Sequence, residues 1–464
     1  MTRATRPPLV AVSFTVSFVG TLVAALVQGP KPFYYDSGLY WKLGNTFTEE
    51  GHFSLLNFNS SARGYVLPLI DHGLQELAEA LEWNPSSTAK LFNVLIFALL
   101  GAVLAPKLAE IAWPGHRWGL IRRMLLVALL IVYWSGYLSY PLSDFPALTM
   151  AVLALVAVSR SDTPGWMLVA GLACGLALDM RASFLLLAPI LAALVAWSWL
   201  REDPSKRNGD RVPFARRALC AGLLILGFAI VSLPQSLASH RHGYTWSFVP
   251  GATISLAQIY LTPGLPTQSY ETYVGPGEPG PEMLYGDRDG EKLLDTQPHH
   301  EITSSHQYVD LIVSHPIAMT ALLARHIING LDARFSSPYI ENLEPGSRAW
   351  LRIACFVLVF LALVRALWPA ARRKLAPARW RYPVALLLCT LTSVPTPMEA
   401  RYMLPVYLVV YITALAPGWP SPLGAREAGP RRFRTTCVLA TALLAFMAIV
   451  WHVTTAAGGQ LHFS

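Results

Sequence analysis

Residues 165–200 read GWMLVAGLACGLALDMRASFLLLAPILAALVAWSWL, an apolar run broken at Asp179-Met180-Arg181. A bilayer core of about 30 Å takes about 20 residues of helix to cross, so this run is too long for one crossing and fits a hairpin of two. The same argument folds 124–159 back at Tyr140-Pro141-Leu142-Ser143-Asp144. Working outward gives eleven predicted spans: 8–28, 89–112, 124–140, 145–159, 165–179, 183–200, 218–236, 350–368, 382–394, 402–416 and 435–456. The expectation is an all-α polytopic membrane protein forming a single membrane domain over 1–464.

Composition agrees. Of 464 residues, 53% are hydrophobic and 14% charged, whereas soluble globular domains carry about 25% charged residues. A disordered chain and an ordinary soluble enzyme are both excluded. The net charge of +8 arises from 36 Lys+Arg against 28 Asp+Glu. Those charges sit between apolar blocks, which argues against a nucleic-acid surface. An excess of arginine over lysine, with heavy Ala and Pro usage, points to a GC-rich bacterial genome. Cys174, Cys220, Cys355, Cys389 and Cys437 all lie in apolar stretches, so no disulfide framework is implied and helix packing must hold the fold. The first block exceeds the roughly 7–15 apolar residues of a signal peptide, and it reads as a retained span.

Orientation follows from the retention of Lys and Arg on the cytoplasmic side. Arg3 and Arg6, Arg117, Arg122 and Arg123, Arg160, the cluster from Arg201 to Arg217, the cluster from Arg372 to Arg381, and Arg426 to Arg434 fall on one side. The short loops opposite contribute only Arg181 and Arg401. The N-terminus is therefore expected in the cytoplasm and the C-terminus outside. Two long external segments result. In residues 29–88, Leu67, Ile70, Leu74, Leu77 and Leu81 share one helical face, the pattern of a helix lying on the membrane surface. Residues 237–349 begin polar and rich in Gly and Pro, then turn helix-like from Ile302 to Leu331, whose latter part reads as interfacial.

Ionisable groups at membrane depth are costly and usually mark a pathway or site. Asp36, Asp144, Asp179, Arg181, Glu399 and Arg401 all fall at external ends of different spans. Gathered at one face, such acids and arginines suit a cavity for an anionic, membrane-derived substrate; taken singly, each equally suits a solvated loop charge. Asp36, in Phe33-Tyr34-Tyr35-Asp36-Ser37-Gly38-Leu39-Tyr40-Trp41, reads either as a helix N-cap or as a base for an acceptor hydroxyl. For Asp144 a cap ahead of Phe145-Pro146 is the plainer explanation. Glu399, two residues from Arg401, reads as a neighbour that tunes or pairs with it.

These residues carry a resemblance. Asp36 with Tyr40, Arg63-Gly64-Tyr65-Val66-Leu67-Pro68-Leu69, Ser143-Asp144-Phe145-Pro146, the stretch from Gly171 to Arg181, and Glu399-Ala400-Arg401-Tyr402-Met403-Leu404-Pro405 look like landmarks of the GT-C polyprenyl-phosphate-sugar-dependent glycosyltransferases. The similarity is to the class containing protein O-mannosyltransferases and lipid A aminoarabinose transferases, and it covers most of residues 1–416 in order. It implies inverting transfer of a sugar from a polyprenyl-phosphate donor to an acceptor hydroxyl on a glycan, lipid or protein, at the external face of the bacterial plasma membrane. By the same resemblance Asp36 is the base or site acid, Arg401 the donor-phosphate ligand and Arg181 a second candidate. Tyr40, Arg63, Asp144 and Glu399 would line the substrate site. An arginine fork that stays protonated when partly desolvated suits a phosphate leaving group. Relatives often carry two adjacent acids in the first loop; here Ser37 follows Asp36, so no metal ligand is assigned and a divalent cation stays open.

Other chemistry is poorly supported. His299, His300, Glu301 and His306 cluster in the second long segment without the spacing of a closed zinc motif. His315, Arg325, His326 and Arg334 read first as structural. No Gly-rich phosphate loop or Gly-x-Ser-x-Gly elbow occurs. The alternative reading is a lipid-linked-sugar flippase or other transporter, for which repeated halves with midplane charges are expected. A polymerase or ligase of preassembled lipid-linked glycans would use the same chemistry as the transferase.

Overall fold

The first apolar block folds as α1 (Pro7–Val27). The polar segment after it supplies α2 (Tyr35–Gly44), a small hairpin of β1 (Thr48–Glu49) and β2 (His52–Phe53), and α3 (Val66–Ala80). The second block runs through α4 (Pro85–Leu99), a π turn and α5 (Ala105–Ala112). Then come α6 (Leu120–Trp134), α7 (Asp144–Val158), α8 (Pro164–Met180), α9 (Leu187–Leu200) and α10 (Phe214–Arg241). The second polar segment holds the single turn α11 (Thr262–Gly264), β3 (Thr267–Tyr273), β4 (Glu282–Gly286), α12 (Arg288–Asp295), α13 (Ser305–Ser314), α14 (Pro316–Gly330) and β5 (Tyr339–Ile340). Last are α15 (Ala349–Leu367), α16 (Arg381–Cys389), α17 (Leu404–Ala414), α18 (Pro430–Gly458) and β6 (Leu461–Phe463).

This computed structural model describes residues 7–200, 213–251, 257–275, 282–341, 349–367, 380–416, 430–458 and 461–463. Arg3, Arg6, Arg201, Lys206, Arg207, Arg211, Arg372, Arg373, Lys374, Arg379 and Arg426, on which much of the expected orientation rests, lie outside the described residues, as do 276–281 of the Gly- and Pro-rich stretch.

The chain is a mostly helical, multi-pass membrane protein. Among the described residues seven helices are long and apolar enough to cross a bilayer: Leu9–Val27, Pro85–Ala112, Leu120–Ser139, Ala182–Leu200, Phe214–Arg241, Ala349–Leu367 and Cys437–Thr454. The four other predicted blocks form shorter apolar helices, Asp144–Val158, Pro164–Met180, Arg381–Thr392 and Ala400–Ala414. Both polar breaks fall where the sequence puts them. α8 stops at Met180 because Arg181 is extended, and a 3-10 turn over Ala182–Phe184 reverses the chain toward α9.

The chain divides into two compact units, one of 1–112, 117–254 and 381–392, the other of 113–116, 255–380 and 393–464. In the first, α8 and α10 meet backbone to backbone. A Cβ on Gly171 would run into the Leu224 carbonyl, and one on Gly227 into the Leu168 carbonyl; Gly175 faces Val231. Small residues four apart let helices approach closely where lipid gives no hydrophobic drive for association. The Gly171–Gly175 spacing is therefore a packing device, and it fixes the end of α8 that carries Asp179 and Arg181.

α3 forms where the amphipathic pattern predicts it, yet its buried face is Leu67, Asp71, Gln75 and Ala78, while Leu77 and Leu81 are exposed. Protein neighbours thus cover a mixed face that takes in Asp71 and Gln75 as well as Leu67. Gln75 donates to the Trp41 carbonyl at 2.5 Å, and burial pushes the Asp71 carboxyl well above the usual carboxylate range. Leu77 and Leu81, at the C-terminal end of the helix, are left facing outward.

The second unit contains a four-stranded sheet in the order β5-β3-β4-β6, with β3 antiparallel to β4 and parallel to β5. Local sequence pattern does not announce it, because its edge strands come from distant parts of the chain. Below it, Leu265, Leu293, Ile302, Tyr308, Leu311, Met319 and Leu322 form a small apolar core. The predicted helix from Ile302 to Leu331 is two helices, α13 and α14, bent by 112° at His315-Pro316. Proline lacks the N–H that would continue the helix, so the break falls there.

Candidate active site

In the first unit the sequence-derived residues converge in a chain of contacts. α2 begins at Tyr35 with Tyr34 as its cap position, which places Asp36 inside the first turn. Asp36 is therefore not the N-cap. Its Oδ1 instead accepts a hydrogen bond from Arg63 Nη2 at 2.5 Å, with both side chains about 30% exposed (28% and 29%). Arg63 also lies over the Tyr40 ring, 5.3 Å from its centroid, a favourable placement for a cation. Tyr40 is buried, and its hydroxyl sits 3.4 Å from Ser143 Oγ.

Ser143 occupies the cap position of α7 and Asp144 its first turn, so the cap reading of Asp144 also fails. The Asp144 carboxylate instead pairs with Arg181 Nη1. Here the acid is fully enclosed, with 1% of its side chain exposed, and the arginine nearly so. A pair this dry is costly to assemble but more costly to break, since either partner left alone is a buried uncompensated charge.

A third acid organises both. Asp179 Oδ1 accepts the Val66 N–H at 2.8 Å, and Gly64 lies so close that a Cβ there would collide with Asp179. Tyr65 is anchored at both ends, its N–H donating to Gln235 Oε1 at 3.1 Å and its hydroxyl to the Val231 carbonyl at 3.1 Å. Burial, reinforced by the Asp179 carboxylate, pushes the Tyr65 phenol up, so it stays a proton donor. The Arg63-Gly64-Tyr65-Val66 segment is thereby clamped over the ends of α8 and α10, which presents Arg63 to Asp36. Asp179 Oδ2 makes no hydrogen bond among the described residues.

The second unit holds Glu399 and Arg401. Glu399 Oε2 accepts from Arg401 Nε at 2.6 Å in a 3-10 turn over Ala400–Met403, and both residues are buried. The turn is tied to the sheet: the Tyr270 N–H donates to the Met398 carbonyl at 3.0 Å, and the Tyr270 and Tyr402 hydroxyls lie 2.9 Å apart. Beside Tyr270, buried Glu271 is pushed up to about 8, first by burial and next by Glu399, with Asp332 adding and Arg334 and Arg401 opposing. Asp332 is held by Arg334 at 2.5 Å and by Arg352 at 3.1 Å. Glu271, Tyr270 and Asp332 escaped the sequence reading. A lone glutamate in Thr-Gln-Ser-Tyr-Glu-Thr-Tyr gives no local signal.

The histidines do not assemble. His300 pairs with Asp295 and His306 with Asp310, all well exposed; buried His326 meets the Val394 carbonyl, while Arg325 forks onto Asp287. Among the described residues no three His, Cys, Asp or Glu side chains come together as a metal-holding group. Since Asp36 and Asp144 each hold an arginine, this donor set does not fit a divalent cation. No family model matches the chain, and no significant match was found among curated proteins.

Proposed function

We propose that the chain is a GT-C-like glycosyltransferase of a bacterial plasma membrane, with eleven crossings, a cytoplasmic N-terminus and its site at the external face. It takes a sugar from a polyprenyl-phosphate donor and passes it, with inversion, to an acceptor hydroxyl. Asp36 accepts the hydroxyl proton as the oxygen attacks the anomeric carbon; the carbon–oxygen bond to phosphate breaks, and the phosphate leaves with the electron pair. Arg63 orients the Asp36 carboxylate, and by the resemblance Arg401 is the candidate to neutralise the leaving phosphate.

The observation that carries this reading is the partly exposed Asp36 carboxylate, held by Arg63 over Tyr40 just beyond the end of α1. It is the acid of the cluster that a substrate can reach without dismantling the fold. The test is reconstitution of the purified protein with radiolabelled polyprenyl-phosphate sugars of several kinds. Label recovered on an acceptor supports the proposal. Label that stays on its carrier but changes leaflet would replace it with the flippase reading.

A further inference from the structure

Two helices of the second unit share the same small core yet present opposite outer faces. α12 buries Leu293, and its exposed residues Arg288, Asp289, Glu291, Lys292 and Asp295 are all charged. This is how a helix meets water. α14 buries Met319 and Leu322 in that core, but its exposed residues are Pro316, Ile317, Thr320, Ala321, Ala324 and Ile327. They recur at helical spacing along one side without a charge, and Ile317 is 87% exposed. The charged and titratable side chains of α14 turn elsewhere, Arg325 onto Asp287 and His326 onto the Val394 carbonyl.

Three observations say what covers that stripe. α13 and α14 together are apolar enough for a membrane span, although bent by 112°. α14 packs against α18, which contains the span Cys437–Thr454 and exposes Val438, Leu444, Ile449 and Trp451. At 1.5 Å per residue the 15 residues of α14 reach about 22 Å, short of the ~30 Å hydrocarbon core. Such a helix enters a bilayer without crossing it, and its backbone, hydrogen-bonded within the helix, tolerates that.

We infer that α14 is a re-entrant helix whose uncharged Ile317–Ile327 face lies against membrane hydrocarbon, while α12 of the same unit faces water. This assignment does not depend on the transferase reading. It has a direct mechanical consequence within the unit. The far end of α14 abuts the arginine turn: Gly330 has no room for a Cβ beside Met398 and Met403, and Tyr407 donates to the Gly330 carbonyl at 3.0 Å. A lipid-embedded element thus ends directly on the Glu399–Arg401 turn.

The test uses nitroxide labels at Ile317→Cys, Ala321→Cys and Ala324→Cys, one at a time, in the full chain carrying Cys437→Ser and reconstituted in phosphatidylcholine vesicles. Glu291→Cys on α12 is the reference. Relaxation by oxygen, which partitions into hydrocarbon, is compared with relaxation by a water-soluble nickel chelate. A several-fold higher oxygen-to-nickel ratio on α14 than at Glu291 is expected. Equal ratios would mean that the stripe faces water and would overturn the assignment. Shielding from both reagents would also overturn it, in favour of a second copy or another protein.

Discussion

The Asp36–Arg63 and Asp144–Arg181 pairs have the same chemistry and sit in the same unit, linked through Tyr40 and Ser143, yet differ in their access to solvent. The first is partly open, the second nearly closed. On the proposed reading, exposure separates a pair open to a substrate from one that stays closed. Chemistry at Asp144 would require opening the pair that joins the ends of α7 and α8.

Four perturbations sharpen the contrast. Asp144→Ala removes the enclosed carboxylate that faces Arg181, and the cost expected for one partner of a buried pair is ~3–5 kcal/mol, read as loss of the folded fraction in detergent; Asp144→Ala with Arg181→Ala should cost less than the summed singles. An additive pair would show that the contact is inert. Gly171→Ala presses a methyl onto the Leu224 carbonyl and should cost about 1–3 kcal/mol through separation of α8 from α10, seen as a lower thermal midpoint. By contrast Arg63→Ala, at a partly exposed pair, should move stability by only ~0–1 kcal/mol while transfer falls because the carboxylate is no longer oriented.

A pH-dependent effect is expected at Glu271, whose acidity is displaced from 4.5 to about 8 in the fold. Between those values the folded chain holds a proton that the unfolded chain has released, so stability falls as pH rises, by at most ~1.4 kcal/mol per pH unit. Above pH 8 the decline ends. Glu271→Gln should flatten that slope in thermal unfolding measured from pH 5 to 8; an unchanged slope would assign it to another group.

What the sequence reveals and conceals follows from the range of the forces involved. Crossing-length apolar blocks and the Asp179-Met180-Arg181 break are local, and the helices follow them. The four-stranded sheet is not local, since β5 and β6 join it from positions 339 and 461 onward. Asp36 and Asp144 look like caps because residue type and position suit a cap; only the positions of Arg63 and Arg181 in space reveal that both carboxylates are engaged elsewhere. Gly171 and Gly175 belong to a stretch that carries the resemblance, but their physical job is the close approach of α10. The leucine row of α3 is legible as a face, whereas its division is not: Leu67 is covered by protein while Leu77 and Leu81 stay exposed, and Asp71 and Gln75 are buried beside them.

The central claim is that Asp36 takes the acceptor proton, and turnover of Asp36→Asn tests it. With the purified variant at matched fold and saturating polyprenyl-phosphate donor, the initial rate of sugar transfer should fall ~10²–10⁴-fold, the usual contribution of a positioned general base, without a comparable loss of thermal stability. A rate close to that of the unaltered protein would contradict the account.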